Sequence, residues 1–148
     1  MRSHVFSIIA IVAFASCPGC EDSPRTSRVV PAEDQLQAPG VTIVGLASTP
    51  ERYAEQSVRI QGEVEGVVGR RLYVVRGEGT LWAARIPVVP RSRDALGALP
   101  PQRGDEVEVR GVAKTHLSEE LARELGPVAT AQIGDGPYVI AGSIRRHP

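Results

Sequence analysis

The sequence predicts a small, mainly β domain: a closed or nearly closed five-stranded barrel with one short helix after its first segment and one helix before its last strand. Three observations lead to this fold class. Five short stretches have the residue pattern of strands, glycines stand where a strand must bend or turn, and one well-bounded helix pattern precedes the last stretch. Closing such a short sheet into a barrel removes its unpaired edge strands.

The domain begins with a helix start and a long strand. Thr49 is a suitable N-cap and Pro50 fits the first helical position, which predicts a short helix ending near residue 55. Apolar and polar residues then alternate over 57–65, the pattern of a half-buried strand. Gly62 in the middle of this stretch predicts a bulge or a sharp bend, which allows the strand to pair at both ends.

The next two stretches, 72–75 and 81–89, predict the second and third strands. Pro87 and Pro90 carry no backbone N–H and cannot donate to a strand ladder. The prolines therefore predict one of two arrangements: the third strand lies at an edge of the sheet, or the prolines stand at the end of that strand.

The second half of the domain contains two strands and a helix. Residues 104–113 give the clearest strand pattern in the chain, with charged residues alternating with valines. Ser118 predicts the N-cap of a helix that Gly126 and Pro127 close. The last strand is predicted over 138–144, and the folded domain is assigned to residues 41–148.

The N-terminal residues have the features of an export signal. A polar start with Arg2 precedes an apolar run over 5–15. Eleven helical residues rise only about 16 Å, which is too short for a hydrocarbon core of about 30 Å. This pattern predicts a signal peptide over 1–20. Residues 21–40 hold three prolines and four acidic side chains and are predicted to form a flexible linker.

Two cysteines compete as the site of lipid attachment. Small residues precede Cys17 as in a bacterial lipobox, and Cys20 follows a glycine, so both are candidates. A lipid-modified cysteine would make the chain a membrane-anchored lipoprotein of the cell envelope, facing the periplasm or the cell exterior. The alternative is cleavage after the Ala13-x-Ala15 motif, which releases a soluble secreted protein. A redox role for this pair needs a preceding strand and a following helix, and neither is predicted.

Charge and motifs argue against several functional classes. From residue 41 onward there are 14 basic and 13 acidic residues, so the sequence gives no electrostatic case for nucleic acid as a partner. The domain has no cysteine, and its two histidines are His116 and His147. None of the familiar catalytic or metal-binding motifs occurs. We therefore expect no enzyme activity, no cofactor and no metal.

Three motifs resemble those of OB-fold domains in small exported bacterial proteins, including uncharacterised lipoproteins. The motifs are Pro50-x-x-Tyr53, Val58-x-Ile60-x-Gly62-x-Val64 and Gly104-Asp105-x-Val107-x-Val109-x-Gly111. The resemblance covers about 41–146. It implies a five-stranded barrel whose groove binds an oligomer, a peptide or a small ligand, and it does not say which of these.

A narrower resemblance concerns His116. The membrane-anchored haem chaperone of cytochrome c maturation is also an OB-fold, and it attaches haem to a histidine in an Ala-Lys-His-like stretch. Here Ala113-Lys114-Thr115-His116 is similar, but Thr115 interrupts the motif. The residues after His116 match a helix start instead of the acidic and aromatic residues of that family. The simpler alternative is a solvent-exposed histidine beside a helix N-terminus.

The predicted ligand groove rests on aromatic and arginine side chains of the second and third strands. OB-folds commonly use this face, and such side chains can stack bases or sugars. The candidate binding residues are Tyr73, Trp82, Arg71 and Arg85, and the hypothesis also draws on Tyr138, Arg70 and Arg76. In the alternative, Tyr73 and Tyr138 fill the barrel and the arginines only solvate its surface.

These inferences together predict a lipid-anchored extracytoplasmic protein that binds an unidentified small ligand or envelope protein. The alternative function is a structural envelope accessory protein that has no ligand groove.

Overall fold

Five strands close into a barrel in the computed structural model, which describes residues 38–78 and 83–147. The strands are β1 (Ser57–Val68), β2 (Leu72–Arg76), β3 (Arg85–Pro90), β4 (Glu106–Lys114) and β5 (Tyr138–Arg146). Their order around the barrel is β1-β2-β3-β5-β4, and β4 pairs with β1 to close it. Every neighbouring pair is antiparallel except β3 and β5, which are parallel. The chain therefore has the mainly β, OB-like fold that the sequence predicts.

Four short α-helices and a 3-10 turn connect the strands. The helices are α1 (Ile43–Ser48), α2 (Pro50–Tyr53), α3 (Glu119–Leu125) and α4 (Pro127–Ile133), and the 3-10 turn spans Arg93–Leu96. The sequence predicted α2 and α3 and missed the other two helices. Pro127 does not end the helical region. It occupies the first helical position of α4, after Gly126 has turned the chain at φ +81°.

The cap residues explain where two of these helices begin. The Ser118 hydroxyl accepts a hydrogen bond from the Leu121 N–H, which confirms Ser118 as the N-cap of α3. In α1, which the sequence did not predict, the Thr42 hydroxyl accepts from the Gly45 N–H at 3.0 Å. Thr49 is not a side-chain cap, because its hydroxyl donates back to the carbonyl of Gly45.

The third strand does not lie at an edge, which was one of the two alternatives that its prolines predicted; the other, a proline at the end of the strand, is what Pro90 shows. It pairs with β2 on one side and with β5 on the other. Pairing with β5 begins only at Val88, so the missing N–H of Pro87 leaves that ladder intact. Pro90 is the last residue of the strand, where a proline is tolerated.

Two strand glycines allow close approach of neighbouring backbones. A Cβ atom on Gly62 would lie 2.2 Å from the carbonyl oxygen of Arg76. A Cβ atom on Gly111 would lie 2.2 Å from the carbonyl oxygen of Ile140. The bulge expected at Gly62 lies further along β1, where the register with β2 shifts between Val64 and Gly66. The role of Gly62 is therefore close packing.

The barrel interior holds one hydrophobic cluster, which we call the inner core. Alternate residues of all five strands contribute to it, and α1 inserts Ile43 and Leu46 among them. The members on the strands are Val58, Ile60, Val64, Tyr73, Val75, Ile86, Val88, Val107, Val109, Ala113, Val139, Ala141 and Ile144.

A second cluster, the outer core, lies on the other face of the barrel wall. Its strand members are Leu72 of β2, Val89 of β3 and Tyr138 of β5. Helix α4 contributes Ala129 and Ile133, while Leu121 and Leu125 of α3 pack against the cluster. The two helices therefore form a cover over this part of the wall.

On β4, the carboxylate of Glu108 is held by two polar side chains. Arg110 donates a hydrogen bond to it at 2.7 Å, and Gln61 of β1 donates another at 3.4 Å. Burial alone would raise the pKa of Glu108, but the bonds from Arg110 and Gln61 oppose this effect. With the positive charge of Arg59 added, they lower the pKa below its ordinary value of 4.5.

The contribution of Glu108 to stability is expected to disappear in acid. A carboxyl group whose pKa is lowered by folding stabilises the protein above the unfolded pKa and loses this effect as the pH falls through the folded pKa. We expect Glu108→Gln to reduce the free energy of unfolding at neutral pH by about 1 kcal/mol. Urea titrations should show this difference shrinking below the ordinary pKa of 4.5.

Glu106→Gln is the matched control for this prediction. Glu106 is exposed on the same strand and has no ion pair among the described residues. It should change stability little at any pH. A Glu108→Gln deficit that stays constant down to about pH 3 would contradict the account.

Candidate anion-binding cleft

The groove residues predicted from the sequence do not form one surface, as far as the structure describes them. Tyr73 belongs to the inner core and is only 4% exposed, so its ring does not line an outer groove. Burial raises the pKa of its hydroxyl, which therefore stays protonated. Tyr138 is also buried, in the outer core, and its hydroxyl donates to the carbonyl of His116 at 3.0 Å. Trp82 lies outside the described residues, as do Cys17 and Cys20.

Part of the outer face of β2 and β3 is closed by the protein itself. Leu72 and Val89 project from this face and are buried in the outer core beneath α3 and α4. A ligand could reach these two side chains only by displacing the helices. OB-folds commonly bind ligands on this face. In this chain, the part of the face around Leu72 and Val89 is therefore not open to a ligand.

Further along the same face, two arginines form ion pairs with glutamates of β1. Arg76 of β2 pairs with Glu63 at 2.8 Å, and Arg85 of β3 pairs with Glu65. All four residues lie near the surface, and each guanidinium group already has a carboxylate partner. The predicted site residue Arg85 is thus one member of an ion-paired row.

Two of the predicted arginines, Arg70 and Arg71, lie with Arg93 around an open cleft at one end of the barrel. Arg70 and Arg71 follow Gly69, which turns the chain between β1 and β2 at φ +63°. Arg93 begins the 3-10 turn that follows β3. We call this site the arginine cleft; it has a volume of about 350 Å³ and is lined by Arg70, Arg71, Pro90, Ser92, Arg93 and Leu96.

The 3-10 turn that presents Arg93 is fixed to the barrel. Ala95 within it is buried, and Leu96 packs against the inner core. Just before the turn, the Arg91 N–H donates to the carbonyl of Ala141 on β5 at 2.8 Å. The backbone that carries Arg93 is therefore anchored, while its side chain reaches solvent.

The lining of the arginine cleft contains more basic than acidic residues. Three of its six described lining residues are arginines, and none of the six is acidic. Among the described residues, Arg70 and Arg93 form no ion pair, and Arg71 pairs with Glu124 of α3. An arginine fork matches the oxygens of a phosphate or carboxylate group, so three together suit a ligand of more than one negative charge.

A second cavity of about 400 Å³ lies beside α1. Residues 40–44 line it together with Arg59, Gln61, Gly77 and Glu78. One positive and one negative side chain are present, so its lining has no net charge. This balance makes it a weaker candidate for ion recognition than the arginine cleft.

The described residues hold no group of metal-binding side chains, and every buried polar side-chain atom among them has a hydrogen-bond partner. His116 is exposed at the approach to α3, as the simpler alternative expected. None of the helices in this part of the chain has the length and apolar character needed to span a bilayer.

Sequence reasoning included Arg70 and Arg71 among the possible ligand contacts and missed Arg93. The sequence signal for Arg93 is weak: it is the second of two arginines, 91 and 93, in the three residues after Pro90. Only the 3-10 turn shows that Arg93 faces the turn between β1 and β2.

No protein-family model matches the sequence, and no curated protein matches it. Solved structures with some similarity include the hypothetical protein ygiW from E. coli, at 14% identity and a TM-score of 0.46, covering 68% of this chain and 84% of that one. An OBody bound to hen egg-white lysozyme is 18% identical with a TM-score of 0.46, covering 68% and 87%. The aspartyl tRNA synthetase from Entamoeba histolytica is 12% identical with a TM-score of 0.45; the match covers all of this chain and 29% of the enzyme.

The OB-like assignment rests on the closure and strand order of the barrel itself. Identities of this size do not transfer an activity to this chain.

Proposed function

We propose that this chain is an exported protein, anchored by lipid at Cys17 or Cys20, whose OB-like barrel binds an anionic ligand in the arginine cleft. The observation that carries the proposal is the lining of that cleft by Arg70, Arg71 and Arg93, with no lining carboxylate. The export signal and the linker predicted from the sequence support the proposed location.

The chemistry of the cleft favours phosphate or carboxylate groups. Each guanidinium offers paired N–H donors, and a charge-assisted bond to an anion is stronger than a neutral one. The cleft volume of about 350 Å³ is near the lower limit for a small-molecule site. A compact ligand with two or more anionic groups, or an acidic side-chain cluster of an envelope protein, fits these properties.

Calorimetric titration of the purified full chain with pyrophosphate tests the binding proposal. Pyrophosphate is small, carries two phosphate groups and can contact more than one arginine. We expect saturable binding at low ionic strength that weakens as sodium chloride is raised, because the contacts are exposed and screened by salt. If the titration shows no heat of pyrophosphate binding at low salt, the proposal is overturned.

Mass spectrometry of the mature N-terminus tests the anchor. We expect the first residue to be Cys17 or Cys20 carrying diacylglyceryl. An unmodified N-terminus at Ser16 would instead indicate cleavage after Ala15 and a secreted protein. The binding proposal does not depend on which of these results is obtained.

The second candidate is an accessory protein without a ligand site. The burial of Leu72 and Val89 beneath helices and the ion-paired state of Arg76 and Arg85 favour it for the β2–β3 face. The two candidates differ at the arginine cleft, since only the first predicts that the cleft binds pyrophosphate.

A further inference from the structure

One arginine of the cleft is also bound to the helical cover. Arg71 donates to the carboxylate of Glu124, which projects from the last turn of α3. Their side chains are 40% and 51% exposed, so solvent reaches both partners. Arg71 therefore takes part in two arrangements: it lines the cleft, and it holds a carboxylate of the protein itself.

We infer that Glu124 is an internal competitor for the ligand of the arginine cleft, and that a bound anion takes its place at Arg71. This inference rests on the proposed function. The carboxylate holds the Nη1 of Arg71, so an incoming anion must displace it before it can use the whole Arg71 fork together with the other two arginines.

The exposed position of the pair makes this exchange feasible. Ion pairs between exposed side chains contribute little to stability, because water screens the charges and both side chains lose freedom. Helix α3 does not depend on the pair for its place, since Leu121 and Leu125 hold it against the outer core. Release of Glu124 therefore leaves the helix and the barrel wall as they are.

The exchange also defines the class of ligand. A monocarboxylate gains little, because it replaces one carboxylate at Arg71 with another. A ligand with two or more anionic groups gains contacts to Arg70 or Arg93 in addition, and these outweigh the loss of Glu124. We therefore expect the cleft to select multiply charged anions such as diphosphates over single carboxylates.

The test compares Glu124→Gln with Glu120→Gln in the full chain. Both substitutions remove one negative charge from α3, but Glu120 has no ion pair among the described residues. Calorimetry with pyrophosphate should show binding to Glu124→Gln that is about two- to five-fold tighter than wild type, the range expected for removal of an exposed ion pair. Glu120→Gln should bind as the wild type does. Acetate should bind the wild type far more weakly than pyrophosphate.

The possible failures are distinguishable. Unchanged affinity in Glu124→Gln, or an equal gain in Glu120→Gln, overturns the competition and leaves the proposed function standing. Acetate that binds as tightly as pyrophosphate overturns the selectivity. If none of the three proteins binds pyrophosphate, both the inference and the proposed function fail.

Discussion

Replacing Gly111 with alanine is expected to cost the barrel a large part of its stability. The added Cβ would lie 2.2 Å from the carbonyl oxygen of Ile140 and 2.8 Å from the Cα of Ala141. Both are backbone atoms of β5 and cannot rotate aside, so β4 and β5 must separate. The expected loss is about 3–5 kcal/mol, against a total stability of roughly 5–15 kcal/mol for a typical domain. Urea denaturation followed by circular dichroism measures this loss.

Gly66→Ala is the control for Gly111→Ala. Gly66 also lies within a strand, but no atom is found within 4 Å of a Cβ built there. We expect the free energy of unfolding of Gly66→Ala to stay within about 1 kcal/mol of the wild-type value. If Gly111→Ala unfolds at the same urea concentration as Gly66→Ala, the close approach of β4 and β5 is not a feature of the protein in solution.

Loss of Arg70 and Arg93, which have no ion pair among the described residues, is expected to abolish most ligand binding. In the double variant Arg70→Gln/Arg93→Gln, Arg71 is the one basic residue left among the described lining of the cleft. A hydrogen bond to a charged group contributes about 1.5–3 kcal/mol, and the exposure of these side chains reduces that value. We expect pyrophosphate affinity to fall by about ten- to a hundred-fold, as measured by calorimetry.

Arg76→Gln/Arg85→Gln tests whether this loss is specific. It removes the same charge from the ion-paired row on the outer face of β2 and β3, where the sequence placed its groove. Since both arginines lie outside the cleft, affinity should change by less than about two-fold, through long-range electrostatics alone. A larger loss in this variant than in the cleft variant would move the binding site to the β2–β3 face.

Much of the fold could be predicted because strand residues have two distinct environments. On β4, Val107 and Val109 enter the inner core while the charged residues between them reach the surface. This alternation is visible in the sequence. Helix α1 could not be predicted in the same way, because its six residues include Gly45 and no charged side chain. It is held by Thr42 and by burial of Ile43 and Leu46, which depends on the tertiary fold.

The candidate site was harder to predict because it depends on which face is covered. Tyr73 and Leu72 are adjacent in sequence, yet one enters the inner core and the other the outer core. The first four residues of β2 are all buried, so the sequence of this strand gives no sign of which face is the solvent side. Arg85 and Arg70 look equivalent in sequence, but only Arg85 has a carboxylate partner among the described residues. Such pairing over 20 residues of chain cannot be derived from spacing.

The most direct test of the arginine cleft is an NMR titration of the arginine Nε–Hε resonances with pyrophosphate. We expect the signals of Arg70, Arg71 and Arg93 to shift together with one dissociation constant, while those of Arg76 and Arg85 stay in place. Shifts confined to Arg76 and Arg85, or spread evenly over all arginines, would contradict a binding site at the cleft.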